Sequence, residues 1–160
     1  MVDATEPKIG SIAVLGLGGV GELAARLLKD SGFQVTGIDM AIPERQLPFE
    51  VQTASAAAPE ELEPILAGQD AVLSCLPYHL NKDVARLASR LGIFYFDLTE
   101  DVPTKELILE LAQTSERLMA PQCGLAPGFV GIVGAHLADQ ETRIARFHSV
   151  IDEYIAGSRK

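Results

Sequence analysis

The segment from Ile12 to Gly21 reads Ile-Ala-Val-Leu-Gly-Leu-Gly-Gly-Val-Gly: an apolar run, then glycines at 16, 18 and 21 in G-x-G-x-x-G spacing, with a helical pattern directly behind. Few backbones satisfy all three demands, because each glycine answers a different steric need. Gly16 permits the tight turn out of a strand, Gly18 lets a ligand reach the main chain, and Gly21 lets the helix approach the strand. A phosphate brought there meets unpaired N–H groups and the positive end of the helix dipole. In a chain with 14 glycines the spacing alone arises readily by chance, so the strand before it and the helix after it carry the reading. Gly16, Gly18, Gly19, Val20 and Gly21 are therefore candidates to bind a dinucleotide pyrophosphate.

Upstream, Ile9 to Leu15 is short, apolar and rich in β-branched residues, the pattern of a strand covered on both faces. Downstream, Val20, Leu23, Ala24, Leu27 and Leu28 recur at helical spacing and predict an amphipathic helix with these side chains as its apolar face. Gly32 ends it, and a second strand, Phe33 to Ile38, leads into Asp39. That acid lies 18 residues beyond Gly21 (39 − 21), close to the spacing of about 20 for a carboxylate that binds the adenosine ribose hydroxyls. A carboxylate repels a 2′-phosphate, and Met40, Ala41 and Ile42 supply no cation, so NAD is expected ahead of NADP. Arg45 argues the other way. It is near enough in sequence to reach the same place, although Pro43 and Glu44 suggest a solvated loop. An ordinary strand-end turn is the competing explanation of Asp39.

The alternation continues along the chain. Phe49 to Thr53 reads as a third strand and Pro59 to Ala67 as a helix whose first turn suits Pro59, Glu60 and Glu61. Pro64 should keep that helix short or irregular. Asp70 to Cys75 is a fourth strand. Leu80, Val84, Leu87, Ala88 and Leu91 mark one face of the next helix, Ile93 to Leu98 is a fifth strand, and Thr104 to Ser115 is a helix facing inward through Leu107, Ile108, Leu111 and Ala112. Arg117 to Cys123 reads as a sixth strand. Gly32, Gly68 and Gly92 each close a helical pattern just before a strand, the connection expected in a parallel sheet. The fold class is therefore α/β, a doubly wound parallel sheet of Rossmann type with strand order 3-2-1-4-5-6. Residues 1–139 are expected to form this nucleotide-binding domain and 140–160 a tail, with helices over Gly128 to Asp139 and Val150 to Ala156.

Composition narrows the partners. With 160 residues and 48% hydrophobic content there is material for one globular core and little for a second. A net charge of −9 with no cluster of Lys or Arg excludes nucleic acid and anionic membrane surfaces as partners, so any anion must be bound locally by backbone. The first eight residues are polar and acidic, unlike a signal peptide, and no apolar run is long enough to span a bilayer, so a cytoplasmic protein is expected. The two cysteines, Cys75 and Cys123, have no C-x-x-C pairing and no histidine cluster beside them, so no metal site is expected. Both read as free thiols, either small buried residues or ligand neighbours.

In such a sheet, ligands bind at the carboxyl ends of the strands. With Asp39 and Met40 at the adenosine half, Cys75, Leu76, Pro77 and Tyr78 are candidates to line the nicotinamide ribose and ring. Gly124 offers close backbone approach to the same ring. Tyr78 alternatively caps the apolar core. Asp97 and Glu100 could meet the nicotinamide ribose or an ammonium substrate, while Glu100 and Asp101 also suit a helix start. His79 is a candidate for proton transfer or simply solvent-facing, and His136 and His148 read as structural or exposed. No catalytic residue is assigned.

Asp70-Ala-Val-Leu-Ser-Cys-Leu-Pro-Tyr-His79, Phe94-Tyr-Phe-Asp-Leu-Thr-Glu-Asp101 and Pro121-Gln-Cys-Gly-Leu-Ala-Pro-Gly128 together resemble the saccharopine dehydrogenase family, including its members similar to lysine 6-dehydrogenase and carboxynorspermidine synthase. The likeness runs from about Ile9 to Asp139. The glycine turn is common to many dehydrogenases; the Gly-Leu-Ala-Pro-Gly segment is much less so. The resemblance implies an oxidoreductase moving a hydride between a nicotinamide cofactor and a carbon–nitrogen bond of an amino-acid or polyamine-related substrate. It also implies a second, substrate-binding domain, and here the chain departs from the pattern, because only 37 residues (160 − 123) follow Cys123. The expectation is a nucleotide-binding part that is incomplete as a catalyst, meets substrate through an absent domain, and is open to self-association through apolar surface. A regulatory module that senses NAD(H) without catalysis, of the same fold and size, is the alternative.

Overall fold

A computed structural model describes residues 8–138. They fall into two compact units, one ending at Cys123 and one starting at Gly124. The first unit holds a six-stranded parallel sheet: β1 (Ser11–Leu15), β2 (Gln34–Asp39), β3 (Glu50–Thr53), β4 (Ala71–Ser74), β5 (Phe94–Asp97) and β6 (Met119–Ala120). The order across it is β3-β2-β1-β4-β5-β6, every neighbouring pair parallel, as the sequence predicts. Its helices are α1 (Gly19–Asp30), α2 (Pro59–Leu66), α3 (Tyr78–Leu91) and α4 (Val102–Ala112). The second unit shows a single π-helical turn, Leu125–Phe129, running into α5 (Val130–Ala138). The helix expected over Gly128 to Asp139 is thus split by this turn, whereas that over Val150 to Ala156, His148 and the 140–160 tail lie outside the described residues.

Alternate residues of β1 divide the core. Ala13 and Leu15 face a cluster with Leu62 and Leu66 of α2, Val84 and Leu87 of α3, and Ile108 of α4. Ile12 and Val14 face the other side, with Leu17, Ala25 of α1, Val35 and Phe49. Central strands buried on both faces are what a parallel sheet requires. The second face is thinner: Leu73, Phe94 and Phe96 pack against it only half-buried.

Helix α1 differs from its sequence pattern. Val20, Leu23 and Leu27, predicted to point inward, are 63, 58 and 58% exposed, and Gly21, Glu22 and Ala25 are buried in their place. The close approach at Gly21 explains the rotation. A Cβ there would stand 1.8 Å from the Gly16 carbonyl oxygen, so the hydrogen-only face of α1 must lie on the strand and carries Ala25, four residues on, with it. Periodicity gives a helix its apolar stripe; this backbone contact decides which stripe meets the sheet.

The sixth strand is also shorter than Arg117 to Cys123. Only Met119 and Ala120 pair with β5. Pro121 has no N–H to donate to a ladder. Gln122 then takes φ 65°, and its N–H and that of Cys123 turn to Asp97, reaching Oδ1 at 3.1 Å and the carbonyl oxygen at 2.7 Å. Elsewhere the elements match their patterns to within a few residues. Helix α2 keeps Pro64 inside an eight-residue span. Helix α4 buries Thr104 and Ile108, with Leu107, Leu111 and Ala112 half-buried.

At the amino-terminal edge Asp70 ties β4 to β1. Its Oδ2 accepts Gly10 N–H and Ser11 N–H, each at 2.9 Å, and the Ser11 hydroxyl at 3.0 Å. These donors favour the ionised form and hold its carboxyl below the ordinary 3.8. A lowered pKa adds stability above the unfolded value and loses it as pH falls through the folded one. Asp70→Asn should therefore flatten the acid-side loss of stability below pH 3.8, as read by urea denaturation across that range. Gly21→Ala should lower the unfolding free energy by about 3 kcal/mol or more, as overpacking against an immobile carbonyl does. Gly18→Ala, where an added Cβ meets nothing within 4 Å, should stay within about 1 kcal/mol of the parent in the same measurement.

Candidate functional site

The carboxyl edge of the sheet assembles most of the residues singled out in the sequence. Gly16 leaves β1 at φ 84°, where a side chain is strained, and its N–H donates to Ile38 carbonyl at 2.8 Å. Leu17 is buried, Gly18 caps α1 without a side-chain partner, and Gly18 and Gly19 are both exposed. Cβ atoms built on them would enter open space. The first turn of α1 therefore offers bare backbone amides to solvent at the strand end, the shape and polarity that a diphosphate needs.

Asp39 stands at the end of β2 beside this turn. Its Oδ2 accepts Leu17 N–H at 2.7 Å, and Oδ1 has only a long contact of 3.5 Å to Ala41 N–H. The carboxylate thus braces the glycine turn while half-exposed, and it is not merely a turn residue of its own loop. Met40 next to it is 75% exposed. Arg45, left open by the sequence, folds back onto α1, where its guanidinium engages the carboxylate of Glu22.

On the other side of β1, Cys75, Leu76 and Tyr78 form one wall of an open pocket of about 520 Å³, and the turn from Leu98 to Asp101 forms the other. Cys75 is half-buried, and burial pushes its thiol up to about 11, so it is a neutral wall and not a thiolate nucleophile at neutral pH. Tyr78 is 57% exposed, edge-on to His79, and it does not cap the core. Pro77 and His79 are exposed at the start of α3. Gly124 belongs to the second unit, where its carbonyl accepts Phe129 N–H at 2.9 Å. A larger hollow of about 730 Å³ opens beside Ser11, Gln34 and Gln69. Ser11 and Gln34 begin their strands, so it lies at the edge opposite to the one where such sheets bind ligands.

Beneath the pocket lies a polar cluster that hydropathy alone does not single out. Ser74, Asn81, Tyr95 and Asp97 are each fully buried. The Ser74 hydroxyl donates to Asn81 Oδ1 at 2.7 Å and Asn81 Nδ2 to Asp97 Oδ2 at 3.4 Å, while the Tyr95 hydroxyl reaches the same oxygen at 2.8 Å. Asp97 Oδ1 accepts Thr99 N–H and Gln122 N–H, both at 3.1 Å. Asp97 is thus saturated by internal donors and unavailable to ribose or substrate, contrary to its reading as a ligand contact. Asp101 caps α4 with Oδ2, which accepts Thr104 N–H at 2.9 Å and the Thr104 hydroxyl at 2.6 Å. The signal for the cluster was present in Phe94-Tyr-Phe-Asp97, where a strand alternation carries a tyrosine and an acid on one face.

Burial lifts the Asp97 carboxyl above its ordinary 3.8, against the opposing pull of its donors. A raised folded pKa means that ionising Asp97 costs stability. The cost is absent below the unfolded pKa and present once pH has risen through the folded one. Tyr95→Phe removes the shortest donor and should cost about 1–3 kcal/mol. The loss should be larger near neutral pH than at about pH 4, as read by paired urea titrations.

The sequence profile described as the saccharopine dehydrogenase NADP binding domain matches residues 12–122. Apo histidine-tagged saccharopine dehydrogenase (L-Glu forming) from Saccharomyces cerevisiae superposes with TM-score 0.67 at 19% identity, over 84% of this chain and 32% of that one. MoeE5 in complex with UDP-glucuronic acid and NAD gives 0.60 at 13% identity, covering 70% of this chain and 53% of that one. D-2-hydroxyisocaproate dehydrogenase gives 0.52 at 17%, covering 69% and 33%. At such identities these structures establish the doubly wound fold, and the chain spans about a third of the yeast enzyme's length. The profile match, by contrast, covers most of the chain and contains the glycine turn, the Asp39 strand end and the buried Asp97 cluster. This chain belongs to the saccharopine dehydrogenase family, through its nucleotide-binding domain.

Proposed function

We propose that the glycine turn and Asp39 bind a nicotinamide dinucleotide, NAD in preference to NADP, as the nucleotide half of an oxidoreductase that acts on a carbon–nitrogen bond of an amino-acid or polyamine-related substrate. The observation that carries this reading is the pairing of bare amides at Gly18 and Gly19 with the half-exposed Asp39 carboxylate on Leu17 N–H. Pyrophosphate fits the first turn of α1, because any side chain at Gly18 or Gly19 would fill the space it takes. The adenosine ribose then falls to Asp39, whose Oδ1 is nearly free to accept a hydroxyl. A 2′-phosphate beside that acid is repelled. The family profile is described by NADP, so the preference for NAD rests on Asp39.

The nicotinamide, when bound, supplies the hydride chemistry. This chain's own residues orient it: Cys75, Leu76 and Tyr78 flank the ring half, with Pro77 between them at the start of α3, and the neutral Cys75 thiol is no thiolate nucleophile there. The Leu98 to Asp101 turn, fixed from below through Thr99 N–H on Asp97, closes the opposite side. A substrate-binding domain facing this pocket supplies the remaining wall, as the family resemblance implies.

Isothermal titration of the chain with each reduced dinucleotide tests the reading. NADH should bind at least about tenfold more tightly than NADPH, a difference of about 1.4 kcal/mol. Equal affinity, or preference for NADPH, discards the ribose role of Asp39. Gly18→Val should abolish binding of both while the protein keeps its circular dichroism and unfolding midpoint. Normal binding by that variant removes the glycine turn as the phosphate site.

A further inference from the structure

Resting on the cofactor reading above, a second acid bears on which dinucleotide is accepted. Glu22 lies in the first turn of α1, its N–H bonded to Gly18 carbonyl at 2.9 Å, and it is only 9% exposed. A carboxylate so near a diphosphate site is unfavourable unless it is neutralised. Two guanidiniums do so. Arg26, one turn later, donates Nε to Oε1 at 3.0 Å. Arg45, from the connection between β2 and β3, donates Nε to Oε1 at 3.1 Å, and its Nη2 forms an ion pair with Oε2.

This two-point grip occupies the guanidinium edge that would otherwise fork onto a phosphate. Arg45 is also the single cation between Asp39 and Glu50, hence the one side chain of that connection able to offset the charge of a 2′-phosphate. The connection therefore touches the glycine-turn unit twice, by Asp39 on Leu17 N–H and by Arg45 on Glu22. Pulling Arg45 away would leave the nearly buried Glu22 with Arg26 alone. We propose that Glu22 is a specificity-determining residue: by holding Arg45 on α1 it withholds the cation a 2′-phosphate needs and leaves Asp39 to select NAD.

Glu22→Gln removes the charge and keeps the size. Calorimetry with NADH and NADPH on the parent and the variant should show the NADPH/NADH affinity ratio rising about tenfold, the worth of one released charge-assisted contact. Arg45→Lys keeps a cation but cannot fork, so it should shift the ratio the same way and serves if Glu22→Gln fails to fold. The double variant Glu22→Gln/Arg45→Ala should return the ratio to the parent's value. A purely structural role for Glu22 would move both affinities together and leave the ratio alone. An unchanged ratio in the foldable single variant overturns the proposal, as does a fall in NADPH preference, which would mean that Glu22 presents Arg45 to the phosphate. Retention of the raised ratio in the double variant also overturns it, because charge removal would then act without Arg45. A parent that binds neither dinucleotide, or prefers NADPH, sinks the cofactor reading and takes this proposal with it. A parent that prefers NADH beside single variants at the parental ratio sinks this proposal only.

Discussion

The contact between Gly21 and the Gly16 carbonyl sets the geometry on which the site depends. With hydrogen in place of a side chain, α1 starts hard against the end of β1, closer than any Cβ allows. Three consequences follow from one approach. The first-turn amides face the carboxyl edge of the sheet. The helix rolls so that Ala25 and not Leu23 meets the strand. Glu22, adjacent to the contact, is carried into a nearly buried position, where a lone carboxylate could not stay without its two guanidiniums.

Around that contact, aspartates do the work of joining segments. Asp70 binds two amides at the start of β1, Asp39 binds the glycine turn, Asp101 starts α4, and Asp97 gathers amides from the loops after β5 and β6. These four of the 22 acidic side chains thus accept from backbone. Carboxylates here shape the loops, and the glycine turn offers main-chain amides at the carboxyl edge. An ionised acceptor makes roughly twice as strong a bond as a neutral one, so four short carboxylates order loops that a small sheet could not otherwise hold.

Much of this is legible in the amino-acid sequence. The glycine turn and the strand-end position of Asp39 follow from local spacing, since periodicity and glycine sterics act over a few residues, and strand order follows from the strand–helix alternation with right-handed crossovers. The buried face of α1, the truncation of β6 and the saturation of Asp97 were not legible in the same way. The last two depend on groups far off in sequence, Asp97 and Gln122 being 25 residues apart, as the Glu22–Arg45 pair is 23 apart; the first is set by Gly21 against the Gly16 carbonyl, a backbone contact that apolar periodicity does not register. Patterning ranks Val20, Leu23 and Leu27 as core because it reads only neighbours along the helix.

What the chain determined by itself is its alternation of short apolar strands and helices closed at glycine, and with it a parallel sheet whose carboxyl edge carries the glycine turn and Asp39. Those features are local, fixed by backbone sterics and side-chain period. Only the tertiary structure decided which acids remain available there. Asp97 is consumed by the loops after β5 and β6, Glu22 is bound to two arginines, and Asp39 keeps Oδ1 nearly free beside the glycine turn. Availability is a matter of which donors lie within about 3 Å, and that is settled by packing between segments distant in sequence.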